Sequence, residues 1–373
     1  MRYLLALSVL LSLVSCSAIL NGVAIVSRHG DRAPTTVFSG FHTSWNCSIG
    51  HFTSLNINNI INTPPIRRSR IPGGQSLPGD CYLGQLTHVG AMQEYELGKN
   101  LRQAYSSLLP SFPDTTTYFR STDLPRTQES LIAQIAGTFP LLSDSSTFPT
   151  VNVLEMSQET LLSHAGDCPK LYSMYQQLYS SFEWTESRKS LNTLKPIIES
   201  VFNTKIYSDN DWTMVFDTMF CMVSNNLPLP KPLNLNDFRT LFKVKSWQLS
   251  KTYNDSYLRL AFGLFAQELA DIVVGTFEGT NPVKYSSFLG HDTTIVPLLA
   301  LLNINDGNWP GYAASVAVEL WTVDGSHVVR TLYNGQPTKM SHCSDVFCPL
   351  DQFLHRLSQF QLSRDQWSEA CFG

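Results

Sequence analysis

Residues 27–34 read Ser-Arg-His-Gly-Asp-Arg-Ala-Pro, so Arg28 and Arg32 bracket His29, with Gly30 beside it. Guanidinium groups in such a fork pair bidentately with phosphate or carboxylate oxygens. A histidine between them can serve as nucleophile, base or orienting donor. Glycine lets backbone come close to a bound group. Two later clusters share this layout. Arg120-Ser121-Thr122-Asp123 follows the apolar pair Tyr118-Phe119, and His291-Asp292-Thr293-Thr294 follows Phe288-Leu289-Gly290. The first cluster likewise follows an apolar run, Val23-Ala24-Ile25-Val26. In open α/β sheets, ligands bind beyond the carboxyl ends of the strands. If these three runs are parallel neighbours, their turns share one crevice holding Arg28, Arg32, Arg120, His29, His291 and Asp292.

Three cations, two histidines and a carboxylate suit a dianionic tetrahedral ligand. Phosphoryl transfer needs charge on the equatorial oxygens neutralised, an in-line nucleophile and an acid for the leaving oxygen. His29 is the natural nucleophile, because a neutral imidazole nitrogen can attack phosphorus. Asp292 is the natural acid. Arg28, Arg32, Arg120 and His291 are expected to hold the oxygens. His29, Asp31, His291 and Asp292 also offer ligands to a divalent metal. Three arginines in the same pocket oppose such an ion, so neither a metal nor another cofactor is expected.

The elements that position these residues follow from periodicity. Residues 22–26, 117–119, 150–154 and 284–289 read as strands. Thr87 is a helix N-cap, followed by apolar positions at helical spacing to Leu108. Pro125 sits in the first turn of a helix running to about residue 139, where proline is tolerated. Strand, charged turn and helix thus repeat. Residues 157–252 change character: helices are expected at 168–182, 187–202, 211–223 and 236–251, with no convincing strand. A long helix over 253–278 and a helix over 295–302 follow. The alternating runs 315–321 and 327–333, joined through Val323-Asp324-Gly325, form a hairpin. A short helix is expected near 351–360. The fold class is therefore α/β: a mostly parallel sheet with helices on both faces, made of 19–155 and 253–373, interrupted by a helical cap over 156–252.

The chain has 373 residues, 43% of them hydrophobic, enough for a large core, and a net charge of −4. It is not basic enough for a nucleic-acid footprint. Arg2, the apolar residues 4–14 and the small residues 15–18 form a secretory signal peptide over 1–18, too short to span a bilayer. Leu13-Val14-Ser15-Cys16 also fits a lipoprotein cleavage box, and the sequons favour the eukaryotic secretory reading. The most apolar later run, 257–277, contains Arg259, Glu268 and Asp271 and reads as a buried helix, so no membrane span is expected. Asn46-Cys47-Ser48 and Asn254-Asp255-Ser256 are glycosylation sequons. Eight cysteines become seven after cleavage, leaving one free or intermolecularly bonded. Cys47 and Cys81 bracket a long loop with an arginine cluster (Arg67, Arg68, Arg70) and are expected to staple it.

Arg28-His29-Gly30-Asp31-Arg32-Ala33-Pro34, Gly84-Gln85-Leu86-Thr87, Arg120-Ser121-Thr122-Asp123 with Arg126-Thr127, and His291-Asp292-Thr293-Thr294 together resemble the histidine acid phosphatases. The resemblance covers nearly the whole mature chain and is strongest to the prostatic and lysosomal type. The lysophosphatidate phosphatases are nearer relatives than the phytases. It implies an α/β core with a helical cap, no metal, a phosphohistidine on His29, acid donation by Asp292, and activity at acid pH on many phosphomonoesters. It also implies the disulfides Cys168–Cys371 and Cys343–Cys348. Cys221 matches a cap cysteine whose partner would fall near residues 314–316, where this chain has none, so Cys221 is expected to be free. The expected protein is a secreted or lysosomal-lumen phosphatase acting on small phosphomonoesters or phosphoproteins, with room for a homodimer. The alternatives are a non-catalytic binding or antigenic protein on this scaffold, and a narrower lysophosphatidate or phytate phosphatase.

Overall fold

The computed structural model describes residues 17–40, 42–47, 77–139, 149–164 and 166–373. The leader expected over 1–18 lies almost wholly outside them, as do Arg67, Arg68 and Arg70.

The first strand, β1 (Ala18–Arg28), is buried from Gly22 onward. Its apolar run is continuous because both faces are covered. Val23 and Ile25 join one hydrophobic cluster, Ala24 and Val26 another. Helix α1 (His88–Ala104) follows, then β2 (Thr117–Ser121), α2 (Pro125–Thr138) and the short β3 (Val151–Asn152). Five helices come next: α3 (Pro169–Tyr179), α4 (Phe182–Arg188), α5 (Lys195–Val201), α6 (Asp209–Ser224) and α7 (Leu235–Thr252). The chain then returns to the sheet through α8 (Asp255–Glu278), β4 (Tyr285–Gly290), α9 (Asp292–Leu301), β5 (Ser315–Val323) and β6 (Ser326–Tyr333). It ends with β7 (Gln336–Pro337), β8 (Phe347–Pro349), α10 (Leu350–Ser358) and α11 (Arg364–Phe372).

The strands form one mixed sheet in the order β3-β2-β4-β1-β5-β6-β7, with β8 also on β6. Strands β3, β2, β4 and β1 are parallel, and β5 to β8 add antiparallel pairings. The parallel core is the part that matters for the site. The β5–β6 turn uses Asp324 and Gly325, both at positive φ, the backbone a two-residue hairpin requires.

One face of the sheet packs on α1 and α2 through Leu101, Leu131 and Ile135. The other packs on α8 and α9 through Phe262, Phe265, Ile295 and Leu298. Helix α8 is long and apolar enough by composition to cross a bilayer. Here it lies in the core, against β1, β5, α3, α9, α10 and α11. A separate cluster joins Ile198, Phe216, Phe220 and Leu241 of α5–α7 to Ala33, Phe38, Trp45 and Leu77. Helices α5–α7 therefore rest on the segment that follows the first motif.

Besides α4, β7 and β8, which the periodicity does not predict, two further details differ from expectation. The helix expected over 187–202 is broken by a 3₁₀ turn at Lys189–Leu191, and α5 restarts with Pro196 in its first turn, where proline is tolerated. Helix α11 was not anticipated, although Ser363 and Gln366 form a reciprocal capping box at its start, a readable signal.

Cys47–Cys81, Cys168–Cys371 and Cys343–Cys348 are disulfide-bonded, and Cys221 is a buried free thiol. Three disulfides belong to an extracellular or lumenal setting.

The motif loop is seated by backbone contact. Thr87 N donates to Asp31 O, Ala33 N to Gln85 O, and Gly84 N to Pro34 O. Helix α1 meets this loop at Gly90. A Cβ there would lie 2.0 Å from Asp31 O, and one on Gly30 would lie 2.2 Å from Gly90 O. Gly90→Ala is therefore expected to push α1 off the loop and destabilise the fold by about 1–3 kcal/mol. Urea unfolding of the variant checks this; a midpoint equal to wild type contradicts it.

Candidate active site

Three parallel strands end in register. Arg28 of β1 pairs with Gly290 of β4, and Ser121 of β2 with Leu289. Pairing continues one residue further, since His29 N donates to Gly290 O and Thr122 N to Leu289 O. His29, Thr122 and His291 are thus the first residues past one sheet edge. The ring centroids of His29 and His291 are 5.4 Å apart.

His29 is 2% exposed. Its Nδ1 lies 2.8 Å from Gly30 O. A carbonyl only accepts, so Nδ1 carries the proton and Nε2 keeps its lone pair. Burial, reinforced by Arg126, His291, Arg28 and Arg32, pushes its pKa well below the ordinary histidine value. The ring is neutral even in moderately acid solution.

His291 is also held neutral, first by burial and then by Arg126, Arg32 and Arg28. Its Nε2 lies 3.0 Å from Thr122 Oγ1, and its Nδ1 3.5 Å from Arg126 Nη2. An arginine can only donate, so Nδ1 is the acceptor and Nε2 donates to Thr122.

Arg28 is 1% exposed. It donates to Pro310 O at 2.5 Å and to Asp292 Oδ2 at 2.7 Å. Its guanidinium lies 4.1 Å from the Tyr312 ring centroid and 5.3 Å from that of Phe220, within cation–π range. Asp292 opens α9. Its Oδ2 also accepts from Trp309 Nε1 at 3.2 Å, and its Oδ1 from Thr293 N at 2.8 Å.

Arg32 turns toward the helical insertion. Its Nη2 donates to Asp217 Oδ1 at 2.5 Å and its Nη1 to Asp217 Oδ2 at 3.2 Å. Burial disfavours the charged Arg32, but Asp217 outweighs it and raises the pKa well above the usual value. Its Nη1 is also 3.5 Å from Cys221 Sγ, which lies 3.2 Å from the Tyr312 hydroxyl. Burial pushes the Cys221 thiol up to about 12, so it stays protonated.

The third arginine is not the expected one. Arg120 lies within β2, level with Phe288, and strand alternation sends both to the α8 face. There Arg120 bonds to Glu159 and Thr160, and to Glu268 of α8 at 2.6 Å. It is not among the charges that act on His29 or His291. Arg126, in the first turn of α2, takes the place assigned to it and is the strongest charge on both histidines. Burial, together with Arg32, lowers its pKa to about 10. The position was visible in the sequence as Arg126-Thr127, but the more prominent Arg120-Ser121-Thr122-Asp123 drew the assignment.

Asp31 points away from the crevice. Its Oδ2 accepts from Gln93 Nε2 at 2.6 Å. Burial, partly offset by Gln93 and by Arg28, raises its pKa to about 6. Asp292 is ion-paired with Arg28, and Asp31 bonds to Gln93 of α1. Asn46 and Asn254 are both exposed, and Asn254 Oδ1 caps α8 by accepting from Tyr257 N.

The Nε–H groups of Arg28, Arg32 and Arg126 are buried with no hydrogen-bond partner among the described residues. Three cationic groups with unused donors around a neutral imidazole form an anion-binding arrangement.

The chain is 28% identical to Counting factor 60 of Dictyostelium discoideum, over 94% of this chain and 88% of that protein. It is 27% identical to prostatic acid phosphatase of Bos taurus, over 94% and 87%. The fold superposes on the apo form of Hafnia alvei phytase with a TM-score of 0.62 at 16% identity, covering 93% of this chain and 99% of that one. The family model of the histidine phosphatase superfamily, branch 2, matches residues 19–334. The chain belongs to that superfamily, and its family and relatives support a phosphatase.

Proposed function

We propose that the protein is a secreted acid phosphatase that hydrolyses phosphomonoesters through a phosphohistidine on His29. The observation that carries this reading is the state of His29: neutral, with Nδ1–H tied to Gly30 O and the Nε2 lone pair uncommitted. Arg28, Arg32 and Arg126 surround it and supply donors for the phosphoryl oxygens, and His291 packs beside it, tied to Thr122 and Arg126. His29 Nε2 attacks phosphorus as the P–O ester bond breaks. The departing alkoxide takes the proton of the Asp292 carboxyl group and leaves as the alcohol. Water then attacks phosphorus, its proton passes to the Asp292 carboxylate, and the P–N bond breaks. Inorganic phosphate leaves and both residues return to their starting states. Acid solution favours the first step because the donor must arrive protonated. The sequons at Asn46 and Asn254 and the signal over 1–18 fit a glycoprotein of the secretory route.

His29→Ala is expected to abolish hydrolysis of p-nitrophenyl phosphate near pH ~5, and Asp292→Asn to slow it most for poor leaving groups. A steady-state comparison of p-nitrophenyl and alkyl phosphates decides this. Turnover surviving in His29→Ala excludes the nucleophile, and an inactive wild type supports a non-catalytic binding protein instead.

The pH profile has a definite sign. A depressed histidine pKa keeps the nucleophile unprotonated below the usual value of 6.5. We expect kcat/KM at pH ~5 to be no lower than at pH ~6.5. An acid limb following an ordinary histidine titration contradicts the assignment.

Arg126 and Arg120 separate cleanly. Arg126→Ala is expected to cost roughly 10²–10³-fold in kcat, as loss of an oxyanion donor does. Arg120→Ala leaves the buried Glu159 without its cation and is expected to cost about 3–5 kcal/mol of stability. Kinetics and chemical unfolding of the two variants test this; the reverse pattern restores Arg120 to the site.

A further inference from the structure

Helix α6 belongs to the insertion, yet one stripe of it faces the first motif. Asp217 and Cys221 stand at i and i+4, on one helical face. Asp217 reaches Arg32, and Cys221 touches both Arg32 and Tyr312. Phe220 of the same helix lies 5.3 Å from the Arg28 guanidinium.

Asp217 is committed entirely across this boundary. It accepts two hydrogen bonds from Arg32 and two from Thr35, whose backbone N donates at 3.0 Å and whose Oγ1 donates at 2.9 Å. The bidentate pair fixes the plane of the Arg32 guanidinium. Thr35 sits just beyond the same motif, so the motif itself orients the carboxylate that orients its arginine. The counter-charges are also divided. Arg28 has Asp292 from the α/β core, whereas Arg32 depends on the insertion.

On the phosphatase reading above, we propose that Asp217 is a positioning residue for phosphoryl transfer. It acts through Arg32, fixing the direction in which the remaining guanidinium N–H groups meet the phosphoryl oxygens. The helical insertion is then a working wall of the site as well as a cover over it.

A double-mutant cycle tests this: wild type, Asp217→Asn, Arg32→Ala and the double variant. The readouts are kcat/KM for p-nitrophenyl phosphate and the Kd of inorganic phosphate by calorimetry. Asp217→Asn alone is expected to lower kcat/KM by about 10²-fold, the cost of a small misplacement, and to weaken phosphate binding. In the Arg32→Ala background the same substitution should change either quantity by less than about twofold, because coupled residues are not additive. Equal losses in both backgrounds, or no loss in Asp217→Asn, overturn the proposal. If Arg32→Ala does not fold, Thr35→Val replaces it in the cycle. Removing that hydroxyl should matter only while the carboxylate is present, and additive losses again overturn the role. A wild type that binds phosphate without turning over substrate rejects the phosphatase reading alone, since the cycle on Kd still decides Asp217. A wild type that turns over substrate with an additive cycle rejects Asp217 alone.

Discussion

Guanidinium groups buried around one imidazole repel one another, and much of this fold can be read as the accommodation of that repulsion. Asp292, at the start of α9, balances Arg28. Asp217, on α6, balances Arg32. Arg126 has no carboxylate in direct contact among the described residues, and its pKa drops to about 10. Burial, reinforced by the same field, keeps both histidines below their ordinary pKa. The crevice therefore holds a positive excess that a dianion relieves. Charges brought in from two parts of the chain make the site tolerable when empty and attractive when filled.

The sheet supplies the geometry for this balance. Because β1, β2 and β4 are parallel and in register, the residues just past their ends are neighbours without any special loop. That much was legible from the sequence, since three apolar runs each feed a charged turn. The same logic failed at Arg120 for an equally physical reason. A residue still inside a strand is aimed by alternation, whereas one past the strand is aimed by the turn. Arg120 is the former and Arg126 the latter. The unpaired state of Cys221 came from the resemblance, because spacing cannot specify which cysteines meet. Asp217 could not be foreseen. A lone acid in a helical stretch has no pattern that assigns it to an arginine so far away, and only the packing of α6 on the motif brings them together.

The glycines show how little tolerance the arrangement has. Gly30 and Gly90 are each pressed against backbone of the facing segment. Through this contact α1 holds the loop that carries His29, while α6 holds the same loop through Asp217. His29 thus sits on a loop held by helices on both flanks, which fixes its position.

The bond between Cys168 and Cys371 spans 203 positions. All of α4–α7, and with them Asp217 and the thiol of Cys221, lie inside that loop. In the folded chain Cys221 is buried against Tyr312 and Arg32, so the same cap-to-motif contact that aims Arg32 also shields this thiol from exchange with the bond that closes the loop.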